Sequence, residues 1–119
     1  MTDKEIELIN RHFATWNERD ALAREQNIAK LYAPDVVMID PHFVVTDRQG
    51  IAPAIENLHK NLPESRFKLR SPIETHHNIA RLYWQLGTEQ QPAADTGMDV
   101  FVVEDGVIKM ILVFIDSKE

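Results

Sequence analysis

Two aspartates lie within apolar runs that are typical of β-strands, and these side chains offer the most obvious acid–base chemistry. Asp40 ends the apolar run 36–39, and Asp99 interrupts the apolar run 98–103. A buried ionised carboxylate without a partner costs several kcal/mol. Each side chain is therefore expected to pair with a cation, to be protonated through a raised pKa, or to face a pocket where its charge is used.

Strand alternation predicts which side chains share a face with the aspartates. Met38 lies on the same face as Asp40, and Phe101 on the same face as Asp99, because residues two apart point to one side of a strand. If both faces look toward the predicted helices, the two carboxylates border one interior.

The first predicted helix directs an imidazole and an indole toward this interior. His12 and Trp16 are four residues apart, on or beside the apolar stripe of the helix. With the two aspartates they could line a pocket of apolar walls and few polar groups, which is the usual composition of a small-molecule site. Two carboxylates in different environments, with an imidazole, can divide the roles of general acid and general base.

Each candidate also has a purely structural interpretation, which the sequence leaves open. Asp40 precedes a proline at a strand end, where an aspartate often accepts backbone hydrogen bonds in a turn. Asp99 could pair with Arg81, one strand earlier. His12 could be a hydrogen-bonded histidine on a helix flank, and both tryptophans could be core residues.

No metal or nucleotide site is predicted, and no cofactor is expected. His76 and His77 are adjacent, so on a strand they would point to opposite faces and could not bind one ion together. Asp40 and His42 alone are too few ligands. The sequence has no glycine-rich phosphate loop and no Gly-x-Ser-x-Gly motif, which disfavours nucleotide binding and serine hydrolase chemistry.

The composition limits the class of protein. A chain of 119 residues is long enough for one domain, and its net charge of -6 argues against nucleic acid or an anionic membrane as a partner. There is no cysteine, and no apolar stretch approaches the roughly 20 residues that span a bilayer. The polar N-terminus leads directly into a helix, so a cytoplasmic location is expected.

The order of elements predicts an α+β fold. A capping box, Thr2-x-x-Glu5, begins the first helix. The second begins after Asp20, has Leu31 and Tyr32 in its apolar stripe, and ends near residue 33, before a proline. A third helix is predicted at 51–62. Strands are predicted at 36–40, 43–45, 66–74, 79–88, 96–104 and 107–116. Three helices would then pack on one face of a mostly antiparallel sheet.

The last strand is apolar on both of its faces. Alternation places Ile108, Met110, Leu112 and Phe114 on one face and Ile111, Val113 and Ile115 on the other. An antiparallel strand with one wet face should alternate with polar residues. We therefore expect the helices to cover one face and a second copy of the chain to cover the other, forming a homodimer through the sheet.

Several segments, in this order, resemble the nuclear-transport-factor-like superfamily, in the group of SnoaL-like polyketide cyclases and ketosteroid isomerase. They are Arg-His-Phe-Ala-Thr-Trp-Asn at 11–17, Leu-Tyr-Ala-Pro-Asp at 31–35, Gly-Met-Asp-Val at 97–100 and Glu-Asp-Gly-Val-Ile at 104–108. The resemblance implies a single SnoaL-like domain over 1–119. It also implies a cone-shaped fold in which three N-terminal helices pack on a curved, mostly antiparallel sheet.

The resemblance also implies roles for the candidate residues. Asp40 falls where ketosteroid isomerase has its general base, and Asp99 where it keeps a protonated carboxylic acid that donates a hydrogen bond. His12 stands in place of the oxyanion-hole tyrosine, which is a departure from that enzyme. The expected activity is a cofactor-independent isomerase or cyclase acting on an apolar, carbonyl-bearing metabolite. The alternative is a non-catalytic ligand-binding or dimeric assembly module.

The expected pocket includes more than the three catalytic candidates. Its substrate-contacting residues are predicted to be Trp16, Met38, Phe101, Trp84 and Arg81. Epoxide hydrolysis, a third interpretation, needs a positively charged partner for the carboxylates, and Arg81 is the only candidate in the sequence.

Overall fold

A computed structural model describes residues 3–117, so Thr2 of the predicted capping box lies outside the described residues. The helices are α1 (Asp3–Asn17), α2 (Ala21–Leu31) and α3 (Ile51–Asn61), with a 3-10 turn at Arg48–Gly50. The strands are β1 (Tyr32–Asp40), β2 (Phe43–Val45), β3 (Arg66–Leu69), β4 (Glu74–His76), β5 (Ile79–Gly87), β6 (Asp95–Glu104) and β7 (Val107–Ile115). None of the helices in this part of the chain is both long and apolar enough to cross a membrane.

The helices follow the sequence signals closely. α1 buries Ile9, Phe13 and Trp16, the stripe that its 3–4 spacing predicts. The Asp20 side chain caps α2 by accepting a hydrogen bond from the Ala23 amide at 3.0 Å, as predicted. However, α2 ends two residues earlier than expected, because Tyr32 is already extended and begins β1.

The sheet is mixed and mostly antiparallel. Its strands lie in the order β2-β1-β7-β6-β5-β3, and β4 also pairs with β5. Only the β1–β7 pair is parallel among the described strand pairs. The single strand predicted at 66–74 is two short strands, separated by a segment that contains Pro72. The predicted α+β class, with helices packed on a mostly antiparallel sheet, is confirmed.

A β-bulge changes one predicted face of β7. Val102 pairs with Met110 but Val103 pairs with Ile108, so Lys109 is an extra residue in the ladder. Ile108 and Ile111 are consequently both buried in the core. Alternation had grouped Ile108 with the opposite face, and that assignment is wrong because the bulge resets the period.

Several polar contacts hold the C-terminal end of α1, the helix that carries His12 and Trp16. The Arg66 and Arg24 guanidinium groups donate to the carbonyls of Asn17 and Glu18, both at 3.0 Å. Cations at this end also oppose the negative pole of the helix dipole. The Asn17 side chain exchanges two hydrogen bonds with the backbone of Phe67 on β3. The helix is thereby fixed against the sheet.

Candidate functional site

A cavity of about 430 Å³ opens between the helices and the inner face of the sheet. Its size is that of a small-molecule site. Six of the eight predicted site residues line it: His12, Trp16, Met38, Asp40, Trp84 and Asp99. The expectation that the two aspartates share one interior is therefore confirmed by the geometry.

Asp99 lies in β6 with only 3% of its surface exposed. Its Oδ1 accepts a hydrogen bond from Trp84 Nε1 at 2.8 Å, and Oδ2 has no hydrogen-bond partner among the described residues. Burial raises the pKa of Asp99 to about 7; the Trp84 bond opposes this shift, and the negative charge of Asp40 adds to it. Near neutral pH this carboxyl group is populated in both its protonated and ionised forms.

Gly97 makes room for the hydrogen bond between Trp84 and Asp99. It lies directly opposite Trp84 in the β5–β6 ladder. A Cβ at this position would overlap the Trp84 indole and the carbonyl oxygen of Phe114. Because glycine has no side chain, the indole can lie across β6 and reach the carboxylate two residues further on.

His12 is 2% exposed and belongs to a buried chain of hydrogen bonds. Its Nδ1 lies 2.6 Å from the Tyr32 hydroxyl oxygen, which also accepts a hydrogen bond from Trp16 Nε1 at 3.2 Å. Burial lowers the pKa of His12 to about 3 and raises the pKa of Tyr32, so the imidazole is neutral and the phenol keeps its proton. Trp16 Nε1–H can only donate, so His12 Nδ1 is the acceptor that the Tyr32 O–H reaches among the described residues. The O–H therefore donates to Nδ1, and the imidazole proton is on Nε2.

Asp40 has both a structural contact and a place in the cavity. Its Oδ1 accepts a hydrogen bond from the backbone amide of His42 at 2.8 Å, which is the turn contact that the sequence allowed. The same residue lines the cavity. The two interpretations are compatible, because a carboxylate has two oxygens.

Arg81 does not line the cavity, so its assignment to the pocket is wrong. Leu82 lies opposite Asp99 and shares its face of the sheet. Arg81 is the neighbour of Leu82 in β5, so its side chain is exposed on the other face. Its guanidinium donates to Glu74 at 2.9 Å. The predicted Asp99–Arg81 pair is therefore absent, and the cation that epoxide hydrolysis would require is not at the cavity.

Phe101 is also outside the cavity lining, because it is completely buried in the core. Its ring packs edge-on against the His12 ring, with centroids 5.0 Å apart. Phe101 therefore packs against the His12 ring in the core and does not form part of the cavity wall.

Besides the lining residues His42, Asn57, Asn61 and Asp95, the sequence reasoning missed one buried polar partner of the site, Tyr32. It was assigned to the apolar stripe of α2, although the proline at position 34 favours an extended chain just before it. As the first residue of β1, Tyr32 instead points its hydroxyl to His12 and Trp16.

The histidine pair does not behave as strand alternation predicts. His77 follows β4 in a turn with a φ of 52°, and its Nδ1 lies 3.2 Å from Nδ1 of His76. The two rings are therefore in contact, and the prediction that they point to opposite faces is wrong. Within residues 3–117 no group of three or more histidine, cysteine, aspartate or glutamate side chains is arranged to hold a metal ion.

Solved structures share this fold over nearly their whole length. A proposed isomerase of the SnoaL-like family from Agrobacterium tumefaciens is 26% identical, with 98% of this chain and 100% of that chain covered, at a TM-score of 0.89. A proposed polyketide cyclase from Sinorhizobium meliloti is 16% identical, covering 91% and 94%, at 0.74. A proposed ketosteroid isomerase from Kribbella flavida is 19% identical, covering 99% and 82%, at 0.74.

The sequence also matches a family model. No curated protein sequence is similar enough to count as a match. The model of the SnoaL-like domain, in contrast, matches residues 9–111, which includes every residue of the cavity discussed above except those at the end of β7. The resemblance seen in the sequence is confirmed: the chain belongs to the SnoaL-like domain family.

Proposed function

We propose that this protein is a cofactor-independent isomerase or cyclase that moves a proton next to the carbonyl group of an apolar metabolite in a conical pocket. One observation carries the proposal: two carboxylates in different environments line a single cavity, and burial raises the pKa of one of them, Asp99, to about 7. Pairs of titratable groups whose environments separate their pKa values are typical of acid–base sites.

The proposed roles rest on the burial of Asp99 and His12 and, for Asp40, on the resemblance to ketosteroid isomerase. Asp40 takes a proton from the carbon beside the carbonyl group. The protonated form of Asp99 and Nε2–H of His12 donate hydrogen bonds to the carbonyl oxygen as it becomes an enolate. Return of the proton to a different carbon gives an isomer. In a cyclase, the enolate carbon instead attacks a second carbonyl, whose π bond breaks to leave an alkoxide, and Asp40 returns the proton to that oxygen. Trp16, Met38 and Trp84 supply the pocket walls.

Hydrogen–deuterium exchange tests this proposal without knowledge of the substrate. Bicyclic ketones such as 1-decalone and 2-decalone are incubated with the protein in D₂O, and loss of the signals beside the carbonyl is followed by proton NMR. We expect exchange above the buffer rate, and a loss of roughly 100-fold or more in Asp40→Asn, because the general base is removed.

A matched variant separates this effect from a general change of charge. Asp35→Asn removes a carboxylate from the same strand, where Asp35 binds Lys109 outside the cavity. We expect this variant to exchange at the wild-type rate. Equal rates in wild type and Asp40→Asn would contradict the catalytic proposal.

A second candidate is a non-catalytic ligand-binding or dimeric assembly module. The hydrogen bond from the His42 amide to Asp40 favours it, because that contact gives the aspartate a structural reason to be present. In this case the ketones bind but the protein does not accelerate exchange, so the same experiment distinguishes the two functions.

We also infer that a second copy of the chain covers the outer face of the sheet. Large apolar side chains remain exposed there: Phe114 and Val44 are 61% and 62% exposed, and Ile39 and Tyr83 are also exposed. Contiguous apolar surface of this kind is typical of an interface. A small apolar molecule remains the other expected partner, with neither nucleic acid nor membrane, and a cytoplasmic location remains a prediction.

A further inference from the structure

Asp40 and Asp99 both present a carboxylate to the cavity. None of the described residues that line it is a lysine or an arginine. Burial keeps His12 neutral, so its imidazole adds no positive charge. Among the described lining residues, His42 is the one other that can become cationic, and only when its imidazole is protonated.

Four arginines make their contacts with residues that do not line the cavity. Arg24 and Arg66 donate to backbone carbonyls at the end of α1, and Arg19 donates to the carbonyl of Ser65. Arg81 is held by Glu74 on the other face of the sheet. None of these four arginines lines the cavity.

Apolar surroundings strengthen the electrostatic effect of the carboxylates. The tryptophans, Met38 and Phe67 form much of the wall, and charge interactions are several-fold stronger in such an environment than in water. Oδ2 of Asp99 accepts no hydrogen bond from the described residues, so it is available to a ligand. The net charge of -6 repels approaching anions as well.

From these contacts we propose that the cavity takes uncharged or cationic ligands and excludes anions. The proposal deepens the proposed function, since the substrate of that site would be a neutral or amine-bearing carbonyl compound. Keto acids, phosphorylated compounds and coenzyme A thioesters whose phosphates enter the cavity are excluded. An ammonium group would pair with a lining carboxylate.

Three compounds that share one cage but differ in charge test the proposal. They are 1-adamantyl methyl ketone, 1-adamantanemethylamine and 1-adamantanecarboxylate. Binding is measured at pH 8, well above the reference pKa of about 6.5 for an imidazole. The readout is tryptophan fluorescence, because both tryptophans of the chain line the cavity. We expect the ketone and the amine to bind, and the carboxylate to bind roughly tenfold or more weakly.

A pair of variants with equal net charge locates the effect. Asp99→Asn is expected to strengthen binding of the carboxylate compound at pH 8, because it removes a negative charge inside the cavity. Asp105→Asn, in the β6–β7 turn, makes the same change outside the cavity and is expected to leave binding unchanged.

The possible outcomes separate this inference from the proposed function. If the carboxylate binds wild type as tightly as the ketone or the amine, charge selection is overturned, whatever the exchange assay shows. If charge selection holds but Asp40→Asn leaves exchange unchanged, only catalysis fails. Absence of binding by all three compounds overturns the inference, because the cavity would then not accept the uncharged and cationic class.

Discussion

Burial shifts the two most enclosed titratable side chains of the cavity in opposite directions, and both become more neutral. It lowers the pKa of His12 to about 3 and raises the pKa of Asp99 to about 7. If a buried imidazole and a buried carboxyl group kept their charges, they would have to form an ion pair or lose a large free energy of hydration. The result is a site with hydrogen-bond donors but little positive charge.

These shifts make stability depend on pH in two opposing ways. The folded state holds the Asp99 proton up to about pH 7, whereas the unfolded chain releases it near 4, so this group makes stability fall as the pH rises between those values. The unfolded chain protonates His12 below about pH 6.5, whereas the folded state does so only near 3. This second group makes stability rise between pH 3 and 6.5.

Asp99→Asn should therefore become more stable relative to wild type as the pH rises. The difference should grow from about pH 4 to pH 8 and reach at most roughly 4 kcal/mol, from three pKa units at 1.36 kcal/mol each. Urea denaturation followed by circular dichroism at several pH values measures it. Asp105→Asn serves as the control, and parallel pH curves for Asp99→Asn and wild type would show that the pKa of Asp99 is not raised.

At the scale of elements, the Tyr32 hydroxyl joins α1 to the start of β1. It accepts from Trp16 and reaches Nδ1 of His12, two residues one helical turn apart. The arrangement depends on α2 ending at Leu31. Tyr32 then has an extended backbone as the first residue of β1, and its hydroxyl contacts His12 and Trp16. The end of one helix thus determines the tautomer of a histidine on another.

Tyr32→Phe should leave Trp16 Nε1 and His12 Nδ1 buried without a partner. A buried unsatisfied group costs roughly 1–3 kcal/mol, so a loss of stability in that range or above is expected by urea denaturation. Nitrogen NMR of the His12 ring should also show that the preference for the Nε2–H tautomer is weakened. Tyr83→Phe, on the exposed outer face, is the matched control. Equal stabilities of the two variants would contradict this role for Tyr32.

At the scale of the whole molecule, the two faces of the sheet have different surroundings. The inner face is covered by the helices and carries the cavity, whereas the outer face exposes a row of apolar side chains. β7 contributes to both, with Ile111 buried inside and Phe114 exposed outside. The proposed second copy would cover the outer face.

Light scattering at micromolar concentration should give the mass of a dimer. Phe114→Glu should shift it to that of a monomer, because a charge would be buried at the interface. Leu22→Glu is the matched control: Leu22 is 63% exposed, close to the 61% of Phe114, but lies on α2 and away from the sheet. A monomeric wild-type protein would refute the dimer, and dissociation of both variants would show that the effect is not specific to this face.

The sequence by itself determined the class of fold, the position of most elements and five of the polar or aromatic cavity residues. Periodicity groups Asp40 with Met38 and Asp99 with Phe101, and the capping aspartate at position 20 locates α2. These features are local, since each depends on spacing within a few residues, and local spacing is visible in a sequence. The family resemblance implied three helices packed on a mostly antiparallel sheet, and that arrangement is observed.

The tertiary structure alone decided the partners of those residues. Asp99 bonds to Trp84 and not to Arg81 because of the β5–β6 register, which sets Leu82 opposite Asp99 and so turns Arg81 to the other face. The space that Gly97 leaves for the Trp84 indole is the second reason. Distance along the chain decides neither. The contact between Tyr32 and His12 likewise joins residues twenty positions apart. Burial then sets the pKa of each group, because desolvation is a property of everything that packs around a side chain.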